Sequence, residues 1–462
     1  MRNNALWVAL LVISGCSAET GPGPGGFTGH PNFIIVFADD LGYGDLGVYG
    51  HPTIRTPHLD RMAAEGLRFS QFYTAAAVCT PSRAGLLTGR LPVRSGMAND
   101  RRRVLFPPSR GGLPAAEITI AEGLKVQGYA TACIGKWHLG HLDEHLPTRH
   151  GFDEYFGIPY SNDMSPAKSG GARAQTYPPL PLMRGESTIE EEPEQRLLTR
   201  RYTEEAVAFI RKSRDRPFFL YLPHSMPHTP IFASDTFEGT SSRGLYGDVI
   251  EELDWSMGQI LDVLHEENLD YRTLVVFTSD NGPWLTENLN GGSAGLLRDG
   301  KGTTWEGGMR VPAIAWWPGT IAPGAVTQSL ATTLDLLPTV LSLAGAALPG
   351  DRVLDGVDLT PVFADPITKV REAVYFYRGT QLFAVRRGPW KMHYVTQSAY
   401  VGDSPVTHDP PALYHVDRDP SERFNVSARH PDVTAAIEEM AARHRASLDL
   451  APTQLSIPEW EN

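Results

Sequence analysis

Residues 32–40 read Asn-Phe-Ile-Ile-Val-Phe-Ala-Asp-Asp, an apolar run of strand length that ends at two carboxylates. A short, continuous apolar run is typical of a strand that is buried on both faces of a sheet. Similar runs alternate with amphipathic stretches further along the chain: apolar at 129–135, 217–222, 274–278 and 313–317, amphipathic at 119–127, 201–213, 247–267 and 332–343. This alternation predicts an α/β fold with a mostly parallel sheet flanked by helices.

Polar residues follow three of these predicted strands. The pairs are Asp39 and Asp40, Lys136 and His138, and Asp280 and Asn281. In open α/β sheets, sites form at the carboxyl ends of the strands. We therefore expect these segments, far apart in sequence, to meet at one edge of the sheet.

The two aspartates at the end of the first strand have no basic neighbour in the sequence. Adjacent carboxylates repel each other unless positive charge lies between them. Asp280 and Asn281 add two oxygen-bearing side chains, and calcium and magnesium bind such ligands. The four positions predict a divalent-cation site, although either pair alone is equally consistent with the capping of a turn.

The run Cys-Thr-Pro-Ser-Arg at residues 79–83 predicts the start of a helix. Pro81 suits a first helical turn, and Cys79 then lies at the helix N-terminus, where free backbone N–H groups attract anions. Arg83 falls on the same helical face, and its planar guanidinium can pair with a tetrahedral oxyanion. These features would converge on one sulfate-sized or phosphate-sized group. The alternative is a buried cysteine before an ordinary helix.

This run, with Thr-Gly-Arg at 88–90, resembles the Cys-x-Pro-x-Arg signature of the type I sulfatases. Gly-Lys-Trp-His-Leu-Gly at 135–140 matches a second motif of that family, the segment 300–312 is close to a third, and the segment 413–422 resembles a late family turn. The resemblance covers about residues 32–425 and is strongest to the arylsulfatase A and N-acetylgalactosamine-6-sulfatase branch. It implies an alkaline-phosphatase-like α/β domain, a smaller C-terminal α+β domain and hydrolysis of sulfate esters.

In that family a maturation enzyme oxidises the signature cysteine to formylglycine, so the resemblance implies that Cys79 becomes an aldehyde. Its hydrate would offer one hydroxyl to attack sulfur and a second to expel sulfate afterwards. By the same carry-over, the ligands of calcium, or of magnesium, would be an oxygen of the modified Cys79 and the side chains of Asp39, Asp40, Asp280 and Asn281.

The resemblance also implies roles for further residues. Lys136 would hold the sulfate, and His138 would take a proton from the remaining hydroxyl; the alternative for this pair is a capping lysine and a surface histidine. His228, rather than the nearby His224, would donate a hydrogen bond or proton to the leaving alcohol oxygen, because an alkoxide leaves poorly at neutral pH. Lys301 would bridge the sulfate and that oxygen. The implied set is completed by Arg83 as a charge-stabilising group and by Ser161 as a loosely matching sulfate-binding serine.

Composition limits the partners. The chain has 462 residues, of which 41% are hydrophobic, and a formal net charge of −12. That length allows a large core, and the negative charge argues against nucleic acid as a partner. The densest basic run, at 101–103, is predicted to be a solvated loop. A sulfated small molecule or saccharide would therefore be gathered by a local pocket.

The N-terminus predicts export. Residues 1–15 form a lipoprotein-type signal peptide, with an apolar run at 5–13 that is too short to span a bilayer. Ile-Ser-Gly-Cys at 13–16 resembles a bacterial lipobox, which implies a lipid anchor at Cys16, a flexible tether over 16–31 and a periplasmic or outer-membrane location. The alternative is an ordinary signal peptide. Cys133, the third cysteine, is predicted to be buried in a strand.

The remaining chain predicts two domains, a catalytic one over 32–365 and a C-terminal one over 366–462. In the second, short antiparallel strands are expected at 373–378, 383–386 and 390–394, followed by a closing helix at 433–448. Two other functions remain open. One is a phosphodiester or phosphonate monoester hydrolase of the same superfamily, and the other is a sugar-binding lipoprotein without catalysis.

Overall fold

The computed structural model describes residues 29–166, 176–399 and 404–457. The predicted signal peptide at 1–15, the lipid-anchor residue Cys16 and nearly all of the tether at 16–31 lie outside the described residues. Among the helices of the described ranges, none combines the length and the apolar character needed to cross a membrane.

The described residues contain a large sheet of eleven strands. Its strands are β1 (Asn32–Ala38), β2 (Leu67–Tyr73), β3 (Ala130–Ile134), β4 (Glu154–Gly157), β5 (Pro181–Arg184), β6 (Ser187–Glu191), β7 (Phe218–Pro223), β8 (Thr273–Ser279), β9 (Arg310–Trp316), β10 (Ala325–Thr327) and β11 (Ala331–Thr332). The strand order is β10-β2-β9-β8-β1-β7-β3-β4-β5-β6, with β11 also beside β2. The central strands β8, β1, β7 and β3 are all parallel, so their carboxyl ends lie at one edge.

Helices cover both faces of this sheet. The helices are α1 (Pro57–Glu65), α2 (Cys79–Thr88), α3 (Pro92–Ser95), α4 (Ile120–Lys125), α5 (Leu198–Ser213), α6 (Leu245–Glu266), α7 (Glu306–Met309), α8 (Leu336–Leu343), α9 (Thr360–Ala364) and α10 (Pro431–Ala446). Along β1, Ile34 and Val36 pack in the core under α1, α5 and α6. Phe33, Ile35 and Phe37 pack in the opposite core under α2, α4 and α8. Because both faces are covered, the whole strand is apolar.

A second, antiparallel sheet follows, in the order β12 (Ala373–Arg378), β13 (Gln381–Arg387), β14 (Trp390–Thr396) and β15 (Val406–His415). Helix α10 packs on it through Ile437 and Met440, which share a core with Val385 and Met392. The predicted fold class, a mostly parallel sheet flanked by helices with a separate short antiparallel sheet, is confirmed. The domain boundary between residues 365 and 366 stays a prediction.

The predicted strands of the large sheet correspond to β1, β3, β7, β8 and β9, whereas its other strands and β15 of the second sheet were not predicted. Two of the missed strands show why. Strand β2 carries Arg68, Ser70 and Gln71 within seven residues, so its sequence lacks a clear apolar run. Strand β15 contains Pro410 and Pro411, which ordinarily argue against a strand. They are accommodated because β15 is the edge strand of its sheet and because residues 408–411 lie in an irregular stretch between the paired Thr407 and Ala412.

Candidate active site

The structure brings the predicted polar segments together at the carboxyl ends of the four central strands. Asp280 and Asn281 follow β8, Asp39 and Asp40 follow β1, His228 lies in the segment after β7, and Lys136 and His138 follow β3. Cys79, the first residue of α2, lies among them, with its Sγ 3.3 Å from Asp39 Oδ1. Cys79 is buried, and burial together with the charges of Asp280 and Asp39 raises the pKa of its thiol.

Lysines from distant segments neutralise the two adjacent aspartates. Lys136 Nζ donates to Asp39 Oδ2 at 2.5 Å, and Lys301 Nζ donates to Asp40 Oδ2 at 2.8 Å. Burial alone would raise the pKa of Asp39, but Lys136 and Arg83 outweigh it and hold that pKa well below the usual range. Burial raises the pKa of Asp40, and the neighbouring charge of Asp39 adds to this effect.

The two carboxylate oxygens of Asp280 bind different partners, the backbone N–H of Asp40 at the end of β1 and the guanidinium of Arg83. Its Oδ1 accepts the Asp40 N–H at 3.1 Å, and its Oδ2 accepts Arg83 Nη2 at 2.9 Å and Nε at 3.1 Å. Burial, followed by the charge of Asp39, raises the pKa of Asp280 to about 7. The positive charge of Arg83 opposes this rise.

Arg83 compensates the charge of a buried carboxylate in the site. Its fully buried guanidinium donates to Asp280 and, through Nη1, to the Lys136 carbonyl oxygen at 2.7 Å. A buried carboxylate requires compensating charge, and the fork of Arg83 supplies it. The predicted contact of Arg83 with a substrate oxyanion stays a prediction.

Lys136 reaches the site because the chain turns sharply at Gly135, whose φ is +133°. A Cβ atom at Gly135 would lie 1.9 Å from the Pro223 carbonyl oxygen, so only glycine fits there. Besides Asp39, Lys136 Nζ donates to Ser161 Oγ at 3.0 Å. Ser161 is buried, and its Oγ is 3.5 Å from His228 Nε2. The predicted Ser161 thus lies between the predicted Lys136 and His228.

His138 is held in one tautomer by a backbone carbonyl. Its Nε2 lies 2.9 Å from the Leu105 oxygen, which can only accept, so Nε2 carries the proton. Its Nδ1 is buried without a hydrogen-bond partner among the described residues. Burial and the charge of Lys136 lower the pKa of His138. The ring is therefore neutral, with a free lone pair on Nδ1, which is the state of a general base.

His228 has the opposite arrangement of its ring nitrogens. Its Nδ1 is 2.6 Å from the Thr229 carbonyl oxygen, so Nε2 is left toward Ser161 and toward Asp40 Oδ2, at 3.8 Å. Burial and the charge of Lys301 lower the pKa of His228. His224, the other histidine of this segment, contacts Ser256 on α6 at 3.2 Å and lies on the scaffold side.

Sequence reasoning missed several residues that shape the site. Thr80 Oγ1 donates to the His138 carbonyl oxygen at 3.0 Å and accepts the Leu105 N–H at 3.1 Å. The Trp284 ring lies 4.1 Å from Lys301 Nζ. Membership of the 79–83 motif could have indicated Thr80 from the sequence. The Leu105 carbonyl group, which binds His138, is a backbone group, and no residue type indicates it. The run 101–103 is also not simply solvated, because Arg103 donates to the Gly302 carbonyl oxygen at 3.0 Å.

The oxygen donors among these residues fit a hard divalent cation. The ligand atoms of Asp39, Asp40, Cys79 and His228 lie within 4.8 Å of one another; Asp280 is not in this cluster, and its oxygens bind the Asp40 N–H and Arg83. Asn281 donates through Nδ2 to Asp40 at 2.7 Å, while its buried Oδ1 has no hydrogen-bond partner within the described ranges. An unpartnered buried oxygen beside two carboxylates is the arrangement that an oxygen-seeking cation would satisfy.

The fold and this site define a hydrolase of the alkaline-phosphatase-like α/β class that acts on a tetrahedral oxyanion ester. The family model described as "Sulfatase" matches residues 31–346, and that of the "C-terminal region of aryl-sulfatase" matches residues 369–461. The chain belongs to the sulfatase family, whose named members are sulfuric ester hydrolases.

Three similar proteins illustrate the relationship. Arylsulfatase A of Homo sapiens is 44% identical, over 92% of this chain and 89% of its own. N-acetylgalactosamine-6-sulfatase of Homo sapiens is 40% identical, over 95% of this chain and 90% of its own. The crystal structure of the PsFucS1 sulfatase from Pseudoalteromonas sp. superposes with a TM-score of 0.84 at 29% identity, covering 91% of this chain and 92% of that one.

We predict that a divalent cation stabilises the folded protein through Asn281. Saturating calcium or magnesium should raise the melting temperature by a few degrees, because a ligand that binds only the native state adds its binding free energy. Asn281→Leu should lose most of this increase in thermal-shift measurements. Asn162→Leu is the matched control, since Asn162 is equally buried and also has an unpartnered Oδ1. An undiminished increase in Asn281→Leu would exclude Asn281 as a ligand.

Proposed function

We propose that this protein hydrolyses a sulfate monoester, with a saccharide as the alcohol, and that it also accepts aryl sulfates. The observation that carries the proposal is one buried cluster of side chains, which combines Cys79 at a helix start, Lys136, Lys301 and two histidines, with Nδ1 open in His138 and Nε2 open in His228. Negative charge that develops on sulfuryl and leaving oxygens would be stabilised by these fixed cations without reorganisation. The saccharide is supported by the name of N-acetylgalactosamine-6-sulfatase, and the aryl ester by that of arylsulfatase A.

The nucleophile in this proposal is Cys79 after conversion to formylglycine by a maturation enzyme. The conversion is supported by membership of the family and by the Cys-x-Pro-x-Arg run that carries the resemblance. Addition of water to the aldehyde gives a hydrate with two hydroxyls on one carbon, one for attack on sulfur and one for release of sulfate. Helix α2 holds this residue rigidly, because each of its ten residues is buried.

Calcium, or magnesium, is the proposed cofactor. The residues that would hold it are Asp39, Asp40, Asp280, Asn281 and the modified Cys79, whose oxygen replaces a soft sulfur with a hard ligand. When bound, such a cation supplies charge stabilisation to a sulfuryl oxygen. Lys136 and Lys301 remain beside the carboxylates and would face the remaining sulfuryl oxygens.

The two histidines divide the proton transfers. His228 Nε2 is the open nitrogen toward Ser161, and it carries no proton while the neutral ring donates through Nδ1 to the Thr229 carbonyl oxygen. The negative charge of a bound ester would favour protonation of Nε2, which would then give a hydrogen bond or proton to the leaving alcohol oxygen, with Lys301 sharing that task. His138 Nδ1 is the open nitrogen on the other ring and would accept the proton of the remaining hydroxyl. When that proton leaves, the carbon–oxygen bond to sulfate breaks, the aldehyde re-forms and sulfate departs. Water then hydrates the aldehyde again.

The nearest alternative is a phosphodiester or phosphonate monoester hydrolase, because such esters also carry one negative charge. The sugar-binding lipoprotein without catalysis is disfavoured, since His138, His228 and Lys301 are all present and buried around Cys79.

We predict that inorganic sulfate is released from sulfated mono- or oligosaccharides and from an aryl sulfate. The value of kcat/KM should be higher for a sulfate ester than for a phosphonate monoester or phosphodiester of the same alcohol. Cys79→Ala should lower turnover by about 10³-fold or more while leaving the melting temperature nearly unchanged. A preference for the phosphorus esters would establish the alternative instead.

A second prediction separates leaving-group protonation from the release of sulfate. His228→Ala should lower kcat/KM by about 10²–10⁴-fold on poorly acidic alcohols and much less on an activated aryl ester. His138→Ala should instead leave sulfuryl mass on the Cys79 peptide in mass spectrometry. His224→Ala is the matched control, because its effect should be equal on all substrates. Equal leaving-group dependence in both variants, with no trapped mass, would show that the roles are wrongly assigned.

We also propose export, with a lipid anchor at Cys16 and a periplasmic or outer-membrane location. The support is the sequence at 1–16, which lies outside the described residues. In an exporting bacterium, the wild type should fractionate with membranes and Cys16→Ala with the soluble periplasm. Equal solubility of the two proteins would show that Cys16 carries no anchor.

A further inference from the structure

A buried ion cluster outside the catalytic pocket lies between the two sheets. Glu306, the first residue of α7, is completely buried and comes five residues after Lys301. Its Oε1 accepts Lys391 Nζ at 3.0 Å, and its Oε2 accepts the Tyr73 hydroxyl at 2.7 Å. Burial would raise the pKa of Glu306, but Lys391 and Arg386 outweigh it and hold that pKa well below the usual range. The carboxylate is therefore charged.

The side chain of Lys391, on β14, contacts the segment that follows Lys301. Besides Glu306, its ammonium donates to the Thr304 carbonyl oxygen at 2.7 Å and lies 3.3 Å from Glu422 Oε1. The side chain is completely buried. All three donors of the ammonium thus have acceptors, and two of these acceptors belong to the segment just after Lys301.

Glu422, the last residue of the family-like turn at 413–422, makes a second set of contacts to that segment. Its Oε2 accepts the Glu306 N–H at 2.7 Å, and its carbonyl oxygen accepts Arg298 Nη1 at 2.7 Å. Its Oε1 accepts His393 Nε2 at 2.7 Å. Glu422 is completely buried, so its charge must be matched by these neighbours.

Further contacts hold the same stretch of chain. The Trp305 ring lies 4.5 Å from the His393 ring and packs with Tyr414. Ser421 Oγ donates to the Leu296 carbonyl oxygen at 2.6 Å. The second sheet and the segment that follows β15 thereby contact residues 296–306 on both sides of Lys301. On the catalytic side, Lys301 N–H donates to the Pro283 oxygen at 2.9 Å, and Gly302 N–H donates to the Ala77 oxygen at 2.8 Å.

We infer that Lys391 and Glu422 are positioning residues for Lys301, through which the C-terminal sheet fixes the lysine at the leaving group. The inference rests on the proposed function of Lys301. The lysine loop, defined as residues 296–306, is connected to the catalytic edge at positions 301 and 302 and to the C-terminal sheet at 304 and 306. Loss of the second attachment would let the ammonium move relative to Asp40 and Trp284. A displacement of about 1 Å can cost about 100-fold in rate.

The test uses Lys391→Met and Glu422→Gln in the full chain. On sulfate esters of poorly acidic alcohols, kcat/KM should fall by about 100-fold. On an aryl sulfate the fall should be much smaller, because Lys301 is proposed to act on the leaving oxygen, which needs little help in an activated aryl ester. Amide hydrogen exchange of the lysine loop should become faster in both variants. Glu422→Gln keeps an acceptor for the Glu306 N–H, so it remains informative if Lys391→Met does not fold.

Arg371→Met is the matched control. It breaks the ion pair between Arg371 and the buried Asp335, which also links the region before β12 to the catalytic domain but does not touch the lysine loop. This variant should melt at a lower temperature, with equal effects on both ester types and wild-type exchange in the loop.

Two results would overturn the inference. One is an equal loss on both ester types in folded Lys391→Met or Glu422→Gln, and the other is unchanged exchange in the lysine loop. If the wild type cleaves no sulfate ester, the proposed function fails, while the exchange measurement still decides whether these residues hold the loop.

Discussion

The burial of three carboxylates at the ends of β1 and β8 is the constraint on which the site depends. Asp39, Asp40 and Asp280 are almost completely shielded from solvent, and each buried charge costs several kcal/mol unless it is compensated. The partners come from three other segments: Lys136 after β3, Arg83 on α2 and Lys301 in the loop before α7. Neutralising the carboxylates therefore draws together the elements that surround Cys79.

The balance between these carboxylates and cations also determines which ligand charge suits the site. Three carboxylates and three cations balance in formal charge, so a divalent cation would leave the pocket positive and suited to an anionic ester. The histidines lie at the margin of this cluster, and each ring has one nitrogen committed to a backbone carbonyl oxygen. Main-chain atoms thus decide which nitrogen is open, Nδ1 in His138 and Nε2 in His228.

Much of this arrangement was predictable from sequence, because apolar runs and strand-end polar residues are local signals. Strand β1 has the predicted bounds, and the segments after β3 and β8 meet it as expected. The ion pairs between the aspartates and the lysines were not predictable. Asp39 and Asp40 have no basic neighbour in sequence, yet their lysines are 97 and 261 residues away.

The contact between Arg83 and Asp280 was also not predictable, because the two residues are far apart in sequence. The helical face of Arg83 was predictable, but not that Asp280 lies on that face, because this depends on how α2 packs against the sheet. The Leu105 carbonyl that orients His138 is a backbone atom and leaves no trace in residue type. The contacts between the second sheet and the lysine loop were not predictable either, because they depend on how two sheets from different parts of the chain pack together.

Residue 79 is proposed to act only after its conversion to formylglycine. The most direct measurement is the peptide mass at this position in preparations made with and without a maturation enzyme, compared with the turnover number of each preparation. The account predicts that turnover rises in proportion to the fraction of Cys79 that carries the mass of formylglycine. Full turnover in protein whose Cys79 peptide carries an unmodified thiol would contradict it.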